Sequence, residues 1–78
     1  MKRKHGDPMS EAQRNVRNMI VSYRKRHGYS PSFREIAEYR GINSTNAVKE
    51  LLVALVEKGW LRMTPGVART LVPVEPSR

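Results

Sequence analysis

Three glycines divide most of this chain into apolar-periodic segments, and after the last of them the period changes. Gly28, Gly41 and Gly59 each stand just past a run whose apolar residues recur every three or four positions. That is where a helix stops on a residue in the left-handed region. Beyond Gly59 the stretch Trp60-Leu61-Arg62-Met63-Thr64 alternates instead, with Leu61 and Met63 on one face, as a strand does. The order predicted is helix, helix, helix, hairpin.

The first helix is predicted from Glu11 to Arg26, with Ser10 as its N-cap and Val16, Met19, Ile20 and Tyr23 as its inward stripe. Arg14, Arg17, Arg24 and Arg26 fall away from that stripe. Tyr29-Ser30-Pro31 is an extended connector, because Pro31 disfavours the α region at Ser30. Ser32-Phe33-Arg34-Glu35 fits the reciprocal capping box S-x-x-E. Phe33, Ile36 and Ala37 then turn inward, and Ile42 is assigned to the corner of the core between two helices.

The third helix starts near Ser44. Val48, Leu51, Leu52, Leu55 and Val56 form its apolar stripe, opposite Thr45, Asn46, Lys49, Glu50, Val53 and Glu57. Pro65-Gly66 is a turn signal, and Thr70-Leu71-Val72 is a second short strand whose Leu71 can meet Leu61 and Met63 over the helices. A two-stranded hairpin is marginal alone, so it must pack on the helices. The fold class expected is mainly α (α+β): a winged helix-turn-helix, with a three-helix core and a two-stranded C-terminal β-hairpin as the wing. Residues 1–9 read as a basic arm, 10–74 as the domain and 75–78 as a tail. Met9 is a second candidate start of translation, which would make the arm optional.

Size and composition remove several function classes. A chain of 78 residues buries only about 60% of its unfolded surface, which leaves little room for the deep pocket of a small-molecule enzyme. Cysteine is absent, so disulfides, thiolate zinc sites and a cysteine nucleophile are excluded together. His5 and His27 lack metal-type spacing, and Lys49 and Lys58 have no serine nucleophile to partner. The expectation is no enzyme, no cofactor, no metal and no small-molecule substrate. No apolar run approaches the roughly 20 residues that cross a bilayer, and the basic start leads into Gly6-Asp7-Pro8 rather than an apolar signal region. A cytoplasmic, nucleoid-associated domain is expected.

Fifteen Lys and Arg against seven Asp and Glu give a net charge of +8. That balance is the electrostatic footprint of a polyanion binder. The two segments around Gly41 supply a reading head for it. A helix-turn-helix joins two helices through a short turn, and the N-terminal residues of the second helix meet base edges in the major groove. Here the candidate base contacts are Asn46, Ala47, Lys49 and Glu50. Asn pairs bidentately with adenine, Lys donates to guanine, Glu accepts from cytosine, and the Ala methyl meets that of thymine. Candidate backbone contacts are Ser32, Arg34, Ser44, Thr45 and Arg69. For Ser44, capping and phosphate contact are compatible readings. The clustered charges Arg24-Lys25-Arg26-His27 are read as a solvated face.

Taken together, these residues resemble the DNA-binding domain of the LexA repressor family over Gly28 to Val74. The matching features are Pro31-Ser32 before Glu35-Ile36-Ala37, the turn ending in Gly41 and the opening Ser44-x-Asn46-Ala47. They continue through Leu52-x-x-Leu55, Lys58-Gly59 and a wing with Gly66 and Arg69. The resemblance implies that Ser44, Asn46, Ala47 and Glu50 sit in the major groove at an operator. Lys49 departs from it, since the best-known members carry an acidic residue there, so their operator sequence does not transfer. The family's dimerising, self-cleaving domain has no counterpart expected within this length.

Double-stranded DNA is therefore the expected partner, bound by a sequence-specific transcriptional regulator acting as a repressor. A homodimer on DNA or a partner protein is expected to supply the affinity that one module lacks. The alternative reading is a protein-interaction module that binds RNA polymerase or another regulator, with Val53 and Trp60 as its contacts.

Overall fold

The computed structural model describes residues 8–64, 66–67 and 69–75. Most of the expected arm, Pro65 of the wing turn, Ala68 and the end of the tail lie outside them. The elements are α1 (Glu11–His27), α2 (Phe33–Arg40), α3 (Thr45–Glu57), β1 (Leu61–Arg62) and β2 (Val72–Pro73). The strands pair antiparallel, Leu61 opposite Pro73 and Arg62 opposite Val72. This is the winged helix-turn-helix predicted from the sequence.

Local chemistry sets the helix ends. Ser10 and Ser32 each cap a helix through a capping box, closed by Gln13 and Glu35 respectively. The turn between α2 and α3 depends on Gly41, whose φ of 69° suits a residue without Cβ. Gly41 N–H donates to Glu38 O at 3.2 Å and Ile42 N–H to Ala37 O at 2.8 Å, which satisfies the last carbonyls of α2. α3 ends on the same device: Trp60 N–H returns to Leu55 O at 2.9 Å, so Trp60 folds back onto the last turn as expected.

The core joins all three helices to the hairpin. Val16, Ile20, Ile36, Val48, Leu52 and Leu55 are fully buried, and Leu61 and Leu71 close over them from the wing. Met19, Phe33, Leu51, Val56 and Met63 pack half-buried at its edge. Ile42, expected inside, is only half-buried and stands outside the buried cluster. Its backbone is committed to closing α2, which leaves its side chain at the rim.

Two further expectations change. The strands are shorter than the alternation predicted, because the pairing stops at Arg62 and Val72 and Thr70 closes the loop instead. Its hydroxyl accepts from Thr64 N–H at 3.0 Å. Of the cluster read as a solvated face, Lys25, Arg26 and His27 are exposed but Arg24 is half-buried, as is Arg17 off the apolar stripe. Arg17 donates to Trp60 O and Val74 O, both at 2.9 Å, while lying 5.5 Å from the centre of the Trp60 ring. Arg24 donates to Leu71 O at 3.2 Å. The arginines of α1 thus bind carbonyls that flank the short ladder, and Trp60 O accepts Arg17 in addition to the Val74 N–H at 3.1 Å.

Candidate nucleic-acid interface

The opening of α3 presents its polar residues outward. Ser44 caps the helix, its hydroxyl accepting from Ala47 N–H at a long 3.4 Å. Thr45, Asn46, Lys49 and Glu50 are exposed and Ala47 is half-exposed, while Val48 between them is fully buried. Among the described residues, no side chain of Thr45, Asn46, Lys49 or Glu50 has a hydrogen-bond or ion-pair partner. No acidic residue sits in the first turn, so the positive end of the helix dipole is not neutralised there. These side chains are free to donate and accept outward.

Beside this opening lies a concavity of about 520 Å³, walled by Ser32, Phe33 and Arg34 of the α2 start, Lys49 of α3, and Met63, Thr64, Gly66, Val67 and Arg69 of the wing. Four predicted site residues, Ser32, Arg34, Lys49 and Arg69, thus share one surface. Ser44, Thr45, Asn46 and Ala47 do not line it. Lys49 and Glu50 line a second, shallower groove along the outer face of α3 with Val53 and Glu57.

Arg34 is exposed and has no partner among the described residues. Ser32 is half-buried and already occupied: its hydroxyl accepts from Glu35 N–H at 3.1 Å, and its N–H donates to Glu35 Oε1 at 2.8 Å. Arg69 is the most engaged. Its Nη1 donates to Ser30 O at 3.1 Å and Glu35 Oε1 at 3.0 Å, and its guanidinium lies 5.0 Å from the centre of the Tyr29 ring. With 41% of its side chain exposed, it still faces solvent from this fixed position.

The residue that sequence reasoning undervalued is Glu35, read only as a cap. One carboxylate oxygen takes the Ser32 N–H and Arg69, and the other accepts from Tyr23 OH at 3.0 Å. The Ser32 N–H, then Arg69, then the Tyr23 hydroxyl hold its pKa well below the usual carboxylate range, at about 2. The capping box was a visible signal for part of this role. Nothing local pointed to Arg69 or Tyr23.

A model of the LexA DNA binding domain matches residues 6–70 of the chain. This chain belongs to that family. A LexA repressor from Anaeromyxobacter dehalogenans is 40% identical over 70 residues, which cover 90% of this chain and 31% of the relative. LexA repressor 2 from Geobacter sulfurreducens is 40% identical over 63 residues, 81% of this chain and 31% of that protein. A LexA repressor from Myxococcus xanthus is 36% identical over 72 residues, covering 92% and 32%. The chain spans about a third of the length of these relatives. All three relatives are named as repressors. No described helix is long and apolar enough to cross a membrane.

Proposed function

We propose that this chain is a sequence-specific reader of double-stranded DNA that represses transcription by occluding its site. The observation that carries the reading is the exposed, unpartnered polar opening of α3 beside a basic concavity. Asn46 and Ala47 meet base edges, with Lys49 donating to guanine and Glu50 accepting from cytosine. Ser44, Thr45, Ser32 and Arg34 take the phosphates, and Arg69 meets the backbone from the wing. The net charge of +8 supplies the non-specific attraction. Such a protein acts in the cytoplasm, on the nucleoid.

One module of this kind buries only about 600–1,000 Å² on DNA, so we propose paired half-sites occupied by two copies. Sedimentation with and without the selected duplex tests this; a strict monomer tight on one half-site would contradict it.

Selection of duplexes from a random pool tests the reading as a whole. The expected result is one enriched motif. Binding to random duplex should fall steeply with salt, and the motif should add affinity beyond it. Failure to enrich any motif would contradict the proposal. Val53 and Trp60, the two residues that suited a protein-interaction surface, are both half-buried, Trp60 beneath Arg17.

A further inference from the structure

We propose that Glu35 is a positioning residue for DNA recognition: by holding Arg69 against the start of α2, it sets where the wing stands relative to the opening of α3. The proposal rests on the DNA-reading function above and adds a residue that touches no DNA itself.

Several contacts converge on this joint. Arg69 bridges Glu35 Oε1 and Ser30 O, while Leu71 N–H, two residues on, donates to the fully buried Ser30 hydroxyl at 3.2 Å. The wing is thus pinned at two neighbouring residues to the connector that leads into α2. Arg69 is also the one described non-glycine residue with positive φ, at 60°. A backbone in that region is disfavoured for a side chain with a Cβ and persists where surrounding contacts over-determine it. The contacts available here are Glu35, Ser30 and the Tyr29 ring. Tyr23 of α1 holds the other carboxylate oxygen, which limits how Glu35 can turn.

The placement matters because the joint lies on the wall of the DNA-facing concavity. Arg69 lines it together with Ser32 and Arg34 on one side and Thr64, Gly66 and Val67 of the wing on another. A carboxylate this close to phosphates would repel them if unpaired. Paired with Arg69, it is neutralised and becomes a strut. Releasing it frees the wing to stand at several distances from α3, and only one of these fits a groove and its flanking backbone together.

Glu35→Gln tests this cleanly. Gln at the third helical position keeps a capping box, as Gln13 does for α1, where its Oε1 accepts from Ser10 N–H at 3.0 Å. The full chain is assayed on the duplex that the wild type selects from a random pool and on a scrambled duplex of equal length. The variant should bind scrambled DNA at least as tightly as wild type, having lost a negative charge. Its ratio of selected to scrambled affinity should fall by about tenfold, within the coupling of contacting residues. Hydroxyl-radical footprints should keep protection under α3 and lose it under the wing.

Partial unfolding lowers both affinities alike and leaves the ratio unmoved, so the ratio separates positioning from stability. If Glu35→Gln does not fold, Glu35→Asp, which keeps the charge but shortens the reach to Arg69, should bind scrambled DNA as wild type does and show the same fall in the ratio and the same loss of footprint under the wing. An unchanged ratio with an unchanged footprint would overturn the positioning role alone. A wild type that selects no duplex would overturn the DNA reading, and this proposal with it.

Discussion

The two capping boxes of this protein use the same four-residue device to different ends. In the first, Ser10 and Gln13 satisfy each other's backbone, and Gln13 Oε1 also accepts from Lys58 Nζ at 2.7 Å. Lys58 donates in turn to Pro8 O at 2.9 Å, so the start of α1 is sewn to the end of α3. In the second, Ser32 and Glu35 do the same locally, and Glu35 reaches the wing through Arg69. Each box is both a cap and a long-range tie to a cation. The neutral acceptor is nearly buried, 8% exposed, at the end of α3 away from its polar opening. The charged one stays 33% exposed, beside the candidate DNA surface. An amide is buried at little cost once hydrogen-bonded, whereas a carboxylate needs a counter-charge and some solvent. The neutral box therefore belongs inside the fold, and the charged box belongs at the rim, where it ties the wing to α2.

The largest expected effect separates what attaches the wing from what aims it. Leu71 is fully buried beneath the hairpin. Leu71→Ala should cost about 2–5 kcal/mol in urea unfolding, far more than any change at either box. If it cost no more than a cap, burial would not be what anchors the wing.

Removing the caps is the intermediate case. Ser10→Ala and Ser32→Ala should each lower stability by about 1 kcal/mol, read from thermal or urea melts. Only the second should also disturb DNA discrimination. Equal disturbance by both would erase the distinction between an internal tie and a rim tie.

The smallest effect is the response to acid. The Glu35 carboxyl sits at about 2 in the folded chain against an ordinary 4.5, so the unfolded chain takes up its proton first as pH falls. The contribution of Glu35 is therefore complete above 4.5 and is lost progressively as pH drops toward 2. Urea midpoints across that window should slope less for Glu35→Gln than for wild type. The neutral first box gives no such slope of its own. A variant slope equal to that of the wild type would show that the carboxylate is not held as described.

How far the sequence announced this molecule follows from the reach of each interaction. Caps, glycine stops and the stripes of α1 and α3 act within a turn or two of helix, so Ser10, Ser32, Gly41, Val48 and Leu52 were legible in order. The exposed opening at Thr45, Asn46, Lys49 and Glu50 was legible as well, as the residue types left over once the stripe is assigned. Arg17 was not, because its partner Val74 O lies 57 residues along the chain. Periodicity assigns such a residue to a face, and the structure shows that the hairpin covers that face. Arg69 was misjudged for a related reason. A cation near a wing turn suggests a phosphate, yet a carboxylate 34 residues upstream claims it first in the free protein.

The central claim is that the opening of α3 reads bases. Asn46→Ala tests it on the selected duplex and on variants changed at one base pair at a time. Asn46 is exposed and caps nothing, so the variant should fold and bind random duplex as the wild type does. It should lose about 1–3 kcal/mol of discrimination at a single base pair, with every other position unaffected. A variant that discriminates at every position as the wild type does would contradict the account.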